Sequence, residues 1–319
     1  MQFFMHRMYK GEKMVKVFID GSAGTTGLKI VDRLSIRKDI ELIKLSEENR
    51  KDVNARKDAI NSSDITFLCL PDQAAIESAS LLENNHTVII DTSTAHRVDP
   101  NWTYGFAEIS NLREKIKVSK KIANPGCHAS GFISLVNPLV ESGILNKDAN
   151  LTCFSLTGYT GGGKKMIEQY ENNMPKDFLA PRQYGLTQMH KHLPEMKVMS
   201  NLNNLPIFMP VVANFPQGME VTVPVFKKDL NGTIEDIKNI YKNKYNTKIV
   251  HFDENCSENG FISANIFACR DDMQISVYGN EDRVLLVSRF DNLGKGASGA
   301  AIQNMNIVLG LDEETGLNV

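Results

Sequence analysis

Residues 15–35 read VKVFIDGSAGTTGLKIVDRLS, and their pattern indicates the fold class of the chain. Val15 to Asp20 form a β-branched run that is typical of a buried strand. Leu28 to Ser35 carry apolar residues at helical spacing, and a glycine-rich turn lies between the two segments. The stretch therefore predicts a strand, a loop and a helix in direct succession, which is the opening unit of an α/β fold.

The turn between that strand and that helix has the composition of a dinucleotide-binding loop. Gly21-x-x-Gly24-x-x-Gly27 is a variant of the usual fingerprint in which the first two glycines stand one residue further apart. Glycine permits a tight turn and brings backbone N–H groups close to a pyrophosphate, which the N-terminus of the helix then stabilises. The residues expected to bind the cofactor are Gly21, Ser22, Ala23, Gly24, Thr25, Thr26 and Gly27.

The end of the second predicted strand, Ile40 to Leu45, indicates which dinucleotide binds. An acidic residue there would bind the ribose 2′-hydroxyl of NAD and repel a 2′-phosphate. The chain instead has Ser46, followed by Arg50 and Lys51. We therefore predict NADP(H), with its 2′-phosphate near these three side chains. The alternative is an ordinary solvated charge cluster from Glu47 to Lys51.

Strands and helices continue to alternate through the first part of the chain. The predicted strands are Ile40 to Leu45, Ile65 to Leu70, Thr87 to Asp91 and Lys117 to Ala123, with a helix from Ala74 to Leu82. This order is typical of a Rossmann-type, doubly wound parallel sheet. Later strands are longer and alternate in polarity, as in Met219 to Phe226, Gln274 to Tyr278 and Val284 to Phe290, with a helix from Ile234 to Tyr245.

The later segments predict a second, α+β domain with a mixed or antiparallel sheet and helices on one face. Gly294 to Gly299 are expected to form a loop that opens a final helix, Ala300 to Leu309. We assign residues 1–127 and 295–319 to the NADP-binding domain, and residues 128–294 to a catalytic and oligomerisation domain.

The composition of the chain indicates which kinds of molecule it binds. The 319 residues carry a formal net charge of −2 with both signs interspersed, which argues against nucleic acid and membrane partners and favours a small-molecule substrate. The five cysteines are widely spaced and contain no Cys-x-x-Cys pair, so neither a disulfide framework nor a zinc site is expected. We expect a cytoplasmic protein. Nothing functional is assigned to residues 1–13.

Cys127 is the strongest candidate for a reactive group. It lies in Asn124-Pro125-Gly126-Cys127, where the predicted strand ending at Ala123 meets a helix predicted from Gly131 to Val140. Unpaired N–H groups and the dipole at a helix N-terminus favour the thiolate, which is the nucleophilic form. The alternative is a buried small hydrophobic residue, the commoner role of a free cysteine.

A thiolate next to a nicotinamide site suggests a covalent dehydrogenase mechanism, which needs an acid/base group. His190 and His192 stand out in Met189-His190-Lys191-His192-Leu193-Pro194-Glu195, and Glu195 could orient an imidazole. Either histidine could equally be an ordinary surface or core residue. A metal site is not expected, because no third ligand lies nearby.

Two cationic residues are candidates for binding an anionic substrate. Arg97 follows a predicted strand end, where open α/β sheets bind ligands, and Lys164 belongs to the glycine-rich segment Gly158 to Lys165. An exposed ion-paired arginine and a plain flexible loop are the alternatives. Lys295 could likewise bind an anion, or its glycine-rich segment could simply let the last helix pack against the nucleotide loop. We expect the remaining candidates His96, His128, Cys69 and Cys153 to be structural or to support the site indirectly.

Together these motifs resemble the N-acetyl-γ-glutamyl-phosphate reductase family of arginine biosynthesis, in its shorter form. The most specific segments are Asn124 to Cys127, Ser93 to Arg97, Gly158 to Lys164, His190 to Glu195 and Gly294 to Gly299. The related aspartate-semialdehyde dehydrogenases usually have Asn-Cys where this chain has Gly126-Cys127, which favours the glutamyl enzyme.

The resemblance implies a fold, a reaction and an assembly. The second domain would resemble that of glyceraldehyde-3-phosphate dehydrogenase, and the chain would form a homodimer or homotetramer. Cys127 would be the nucleophile in an NADPH-dependent reduction of N-acetyl-γ-glutamyl phosphate to the 5-semialdehyde through a thioester. His192 is the favoured acid/base group, with His190 left open, and Arg97, Lys164 and Glu195 would bind the substrate. The alternatives are another semialdehyde dehydrogenase and a non-catalytic nucleotide-sensing protein.

Overall fold

The computed structural model describes residues 14–172 and 174–319. The strands are β1 (Val15–Asp20), β2 (Ile40–Ile43), β3 (Ile65–Leu68), β4 (Val88–Asp91), β5 (Thr103–Tyr104), β6 (Lys121–Ala123), β7 (Thr152–Gly158), β8 (Arg182–Gln183), β9 (Ile207–Ala213), β10 (Met219–Phe226), β11 (Val250–Phe252), β12 (Met273–Gly279) and β13 (Arg283–Phe290). The α-helices are α1 (Thr25–Ser35), α2 (Val53–Ser62), α3 (Asp72–Ser80), α4 (Leu112–Val118), α5 (Cys127–Glu141), α6 (Gly163–Glu171), α7 (Leu193–Met199), α8 (Ile234–Lys244) and α9 (Gly299–Leu309).

The first sheet confirms the predicted parallel, doubly wound architecture. Its strand order is β2-β1-β3-β4-β6-β5, and every pair of neighbours is parallel. Alternate residues of each strand face opposite sides of a sheet. Val17 packs with α1 and α9 on one side, whereas Phe18 packs with α2 on the other. Both faces are therefore covered, as a parallel sheet requires.

The second sheet confirms the predicted mixed architecture. Its order is β11-β12-β13-β10-β7-β9-β8, with parallel pairs at β11–β12 and β7–β9 and antiparallel pairs elsewhere. Residues of α5, α7 and α8 pack against one face of this sheet in the larger of the two main cores. The helices thus lie on a single face, as the sequence predicts.

Three local predictions were wrong. Lys117 and Val118 belong to α4 and not to a strand, because Ile116 packs in the first core and keeps this segment helical. Helix α5 begins at Cys127 and not at Gly131, since the carbonyl of Gly126 already accepts the N–H of Ser130 at 2.8 Å.

The third correction concerns the segment Gly294–Ser298, which is a π-helical turn and not a loop. The N–H groups of Gly296 and Ser298 donate to the carbonyls of Asp291 and Leu293, five residues earlier, and the turn continues directly into α9. Such turns are frequent at functional sites.

The connection from β6 to α5 places Cys127 between the two sheets. Strand β6 ends at Ala123 in the first sheet, and α5 then packs beneath the second sheet against β10 and β13. Helix α9 returns to the first sheet, where Ala301 and Met305 join its core. Among the described helices, none is long and apolar enough to cross a membrane.

Candidate active site

Cys127 is the first residue of α5 and lies at the carboxyl end of the parallel sheet. The turn before it is held by Asn124, whose backbone N–H donates to Asp91 at 2.7 Å and whose side-chain amide donates to the carbonyl of Ala297 at 3.0 Å. A Cβ built on Gly296 would lie 2.9 Å from the Cβ of Cys127, so the π-helical turn closes directly against the cysteine. The two segments therefore fix the position of the thiol.

Three charged or titratable side chains converge on the residue that precedes Cys127. A Cβ built on Gly126 would lie 2.3 Å from Nη1 of Arg97, 2.5 Å from Oε1 of Glu195 and 2.6 Å from Nε2 of His192. These distances are well inside van der Waals contact, so only glycine fits this arrangement. The structure thus brings Arg97, which precedes Cys127 in the chain, and His192, which follows it, close to the residue before the cysteine.

Arg97 is buried and rigidly held. Its Nε donates to the carbonyl of Asn124 at 3.0 Å, its Nη1 to Glu195 at 2.8 Å and its Nη2 to the carbonyl of Thr92 at 3.1 Å. A guanidinium has five N–H donors, so two have no partner within residues 14–172 and 174–319 and could bind a ligand. Arg97 lines the cleft beside Cys127.

Glu195 does not have the position expected of a substrate-binding residue. It is 1 % exposed and accepts hydrogen bonds from Arg97, from the hydroxyl of Tyr104 at 3.0 Å and from the N–H of Gly126 at 3.2 Å. Its nearest approach to the imidazole of His192 is 3.8 Å, which is beyond hydrogen-bond distance. These contacts correct the assignment: Glu195 lies beneath the site and orients Arg97.

The two histidines differ in their hydrogen bonding. The imidazole of His192 is buried, its Nδ1 has no partner among the described residues, and no hydrogen bond reaches its Nε2 within the same part of the chain. Nδ1 of His190 accepts the backbone N–H of His192 at 3.2 Å. Burial lowers the pKa of both, that of His192 well below its ordinary value, with Arg97 contributing further. Both rings are therefore neutral at physiological pH.

Desolvation opposes ionisation of the Cys127 thiol, an effect that the sequence-based expectation of a thiolate did not include. Burial raises the pKa of the thiol to about 11, although Arg97 and the backbone N–H of His128 act in the opposite direction. The helix N-terminus does favour the thiolate as predicted, but desolvation outweighs it. His192 lines the same cleft as Cys127 and its ring is neutral, so it is the candidate to accept the proton of this thiol.

These groups line one cleft between the two sheets, with a volume of about 450 Å³. Its wall includes Cys127, Arg97 and the histidines, together with Gly161 and Gly162 of the second glycine-rich segment. Lys164 is absent from this wall, because it lies on the exposed side of α6. The structure therefore brings the backbone of that segment to the cleft, but not the lysine chosen from sequence.

The first glycine-rich loop has the geometry of a nucleotide cradle. Gly21 has a φ of +85°, and a Cβ there would lie 2.3 Å from the carbonyl oxygen of Cys69. A Cβ on Gly27 would lie 2.4 Å from the carbonyl oxygen of Gly21, so α1 starts in close contact with the loop. The buried hydroxyl of Thr25, at the start of α1, has no partner among the described residues, which fits a ligand at this helix N-terminus.

A second cleft of about 500 Å³ adjoins this loop and is lined by Ser22, Ala23, Arg50 and Lys51. Arg50 forms an exposed ion pair with Glu47 at 3.0 Å, and the hydroxyl of Ser46 accepts a hydrogen bond from the backbone N–H of Asn49. Thr26 lines the first cleft, so the loop separates the two spaces. A dinucleotide bound across the loop would reach both clefts, and the glycine-rich loop together with Arg50 and Lys51 fits such a cofactor.

Other candidates from the sequence have structural partners. Lys295 is buried and forms an ion pair with Glu108 at 2.8 Å, so it is not an anion-binding residue. His96 stacks on Trp102 and pairs with Asp91 at 2.6 Å. Cys153 is fully buried in the core. Tyr184 and Asn292 also line the active-site cleft, and no motif in the sequence singled them out.

The fold and the site define the class of two-domain semialdehyde dehydrogenases. Residues 16–119 match the sequence family described as semialdehyde dehydrogenase, NAD binding domain, and residues 127–292 match semialdehyde dehydrogenase, dimerisation domain. Proteins from Brucella ovis and Brucella canis named N-acetyl-gamma-glutamyl-phosphate reductase are 46% identical over 92% of this chain and 99% of theirs. The chain belongs to the N-acetyl-γ-glutamyl-phosphate reductase family, which confirms the resemblance.

Solved structures support the same fold at much lower identity. An aspartate semialdehyde dehydrogenase II from Vibrio cholerae, complexed with ASA, aligns with a TM-score of 0.70 and 15% identity over 94% of this chain and 99% of its own. An aspartate semialdehyde dehydrogenase with NADP from Candida albicans aligns with a TM-score of 0.65 and 14% identity, covering 93% of this chain and 99% of its own.

Proposed function

We propose that the chain reduces N-acetyl-γ-glutamyl phosphate to N-acetylglutamate 5-semialdehyde and phosphate, with NADPH, through a thioester on Cys127. The observation that carries this proposal is the convergence of Arg97, Glu195 and His192 on Gly126, directly before the cysteine. The names of relatives at 46% identity support the substrate. An asparagine at position 126, as in aspartate-semialdehyde dehydrogenases, would collide with Arg97 and His192.

The reaction begins with a proton transfer, because burial raises the pKa of the Cys127 thiol to about 11. The unpartnered imidazole of His192 takes the proton of Cys127, and the resulting thiolate attacks the acyl carbon. The N–H groups at the start of α5 and the charge of Arg97 stabilise the thiolate once it forms. His192 is favoured over His190 since Nδ1 of His190 is already engaged by backbone.

Phosphate leaves when the thioester forms. Arg97, Gly161 and Gly162 line the cleft, where the guanidinium charge and the backbone of the two glycines would offset the charge of the leaving group. Lys164 would contribute only if its exposed side chain turned toward the cleft. NADPH, when bound, supplies the hydride that reduces the thioester. Protonated His192 then returns its proton as the semialdehyde is released.

Binding of NADPH in preference to NADH rests on the second cleft. Gly21 to Gly27 would hold the pyrophosphate, and Arg50 and Lys51, which line this cleft, would bind the 2′-phosphate. Ser46 does not line the cleft but follows Leu45, which does, and it would be the third group near the phosphate. Glu47 also lines this cleft and forms an ion pair with Arg50, so its carboxylate must move away when the 2′-phosphate binds.

The proposal also covers the oligomeric state, the division into domains and the cellular compartment. The face of the second sheet that the helices leave open carries exposed Phe154, Ile207, Phe226 and Leu285, and we infer that it pairs with a second copy in a homodimer or homotetramer. We divide the chain into residues 1–127 with 295–319 and residues 128–294, in keeping with the two sheets. Unpaired thiols at all five cysteines fit a reducing compartment such as the cytoplasm.

The decisive experiment is the reverse reaction, phosphate-dependent oxidation of N-acetylglutamate semialdehyde with NADP, because the acyl phosphate is unstable. Wild-type protein should prefer this substrate to aspartate semialdehyde, and Cys127→Ser should bind NADPH normally but lose turnover by several orders of magnitude. His192→Asn should slow the chemical step far more than the matched variant His190→Asn. Near-normal turnover in Cys127→Ser, or a preference for aspartate semialdehyde, would contradict the proposal.

A further inference from the structure

A buried hydrogen-bond chain runs from the second sheet to the cleft. His128 follows Cys127 in α5, and its ring is almost fully buried. Its Nδ1 lies 2.6 Å from the hydroxyl oxygen of Ser155 on β7, and its Nε2 lies 2.7 Å from the hydroxyl oxygen of Tyr184. The ring also packs edge-on against Phe208, so its orientation is fixed.

Hydrogen-bond accounting selects one tautomer of His128. Ser155 is fully buried, and within the described residues its hydroxyl has no partner other than His128. If Nδ1 carried the proton, Ser155 would have to accept, and its own hydrogen would point at no acceptor. Buried donors without acceptors are rare in folded proteins. Ser155 therefore donates to Nδ1, and the proton of the neutral ring is on Nε2.

This tautomer leaves the hydroxyl hydrogen of Tyr184 free. Because Nε2–H donates to the phenol oxygen, Tyr184 cannot donate back to His128, and its oxygen has no other partner among the residues described here. Tyr184 lines the active-site cleft together with Cys127. Burial and the neighbouring Cys127 both raise the pKa of the phenol, so it keeps its proton at physiological pH.

We propose that Tyr184 donates this hydrogen bond to the acyl oxygen of the substrate, where negative charge develops as the thiolate of Cys127 attacks. His128 acts as a positioning residue that holds Tyr184 in the donating orientation. The inference rests on the proposed thioester reaction and adds a donor to it. No bond to Tyr184 forms or breaks, and its proton stays on the phenol while it stabilises the oxyanion.

His128 itself is not the acid/base group. Burial lowers the pKa of His128 to about 3, but it also lowers that of His192, so the pKa does not distinguish the two rings. Both nitrogens of His128 are engaged by hydroxyl groups, in contrast to those of His192. Its contribution is therefore geometric and passes through Tyr184.

The first test is Tyr184→Phe, which keeps the ring and removes only the hydroxyl group. We expect kcat for the phosphate-dependent reverse reaction to fall about 100-fold to 1000-fold, the loss usual for one oxyanion donor. KM for the semialdehyde and the Kd of NADPH should change by less than about threefold, because the bond strengthens only in the transition state. A kcat within about threefold of wild type, or a loss confined to KM, overturns the proposal.

The second test isolates the role of His128. Ser155→Ala removes the donor that fixes the tautomer, so Nε2 can instead accept the hydrogen of Tyr184, and kcat should fall about tenfold or more. The double variant Ser155→Ala/Tyr184→Phe should lose no more than Tyr184→Phe alone, because both changes act on one chain of hydrogen bonds. Additive losses would overturn the positioning role. Full turnover in Cys127→Ser would instead contradict the proposed thioester mechanism, on which this inference rests.

Discussion

Replacing Gly126 with alanine should disable the active site and leave the fold intact. Its backbone, at φ −81° and ψ 143°, is accessible to any residue, so alanine adds no backbone strain. The new Cβ would lie 2.3 Å from Nη1 of Arg97 and 2.6 Å from Nε2 of His192. An unstrained contact needs about 3.5 Å, so these groups must each move by about 1 Å.

A misplacement of about 1 Å costs roughly 100-fold in rate, and overpacking a tight site costs about 1–3 kcal/mol of stability. We therefore expect Gly126→Ala to lower kcat about 100-fold, to lower the free energy of unfolding in urea by about 1–3 kcal/mol, and to leave the Kd of NADPH unchanged. Gly232→Ala is the matched control, because its nearest neighbour is the flexible end of Ile144 at 3.1 Å. If the kcat of Gly126→Ala were within about threefold of the kcat of this control, the close approach of Arg97 and His192 to Gly126 would not be needed for turnover.

Three further outcomes are expected. Arg50→Ala should weaken NADPH at least about tenfold more than NADH in calorimetric titrations, since it removes a phosphate contact; an unchanged ratio would refute the choice of cofactor. Alkylation of Cys127 by iodoacetamide, followed by mass spectrometry, should accelerate about tenfold per pH unit from pH 7 toward 11, because only the thiolate reacts; a rate already maximal at pH 7 would mean that the thiol is ionised. Lys295→Met should lower the free energy of unfolding by about 3–5 kcal/mol, because it leaves the buried carboxylate of Glu108 without its cation. The double variant Lys295→Met/Glu108→Leu should recover most of that lost stability. If the single and double variants lost equal stability, the ion pair would not be the cause.

Local patterns in the sequence were enough to predict both sheets and the position of Cys127 at the start of a helix. The β-branched run Val15 to Asp20, its glycine-rich loop and the helix after it are local signals, and they predict the first parallel unit without reference to the rest of the chain. Likewise, Asn124 to Cys127 mark a strand end followed by a helix start, although the helix begins four residues earlier than its apolar pattern suggested.

Only the tertiary structure decided how the site residues relate to one another. Glu195 resembled a partner of the histidines in sequence, but the fold turns it toward Arg97 and Tyr104, 98 and 91 residues away. The raised pKa of the Cys127 thiol follows from desolvation between the two sheets, which no local pattern encodes. Tyr184 carries no motif and reaches the cleft through long-range packing. Contacts between distant segments, and the desolvation they cause, depend on the whole fold, whereas propensity and periodicity depend only on neighbours.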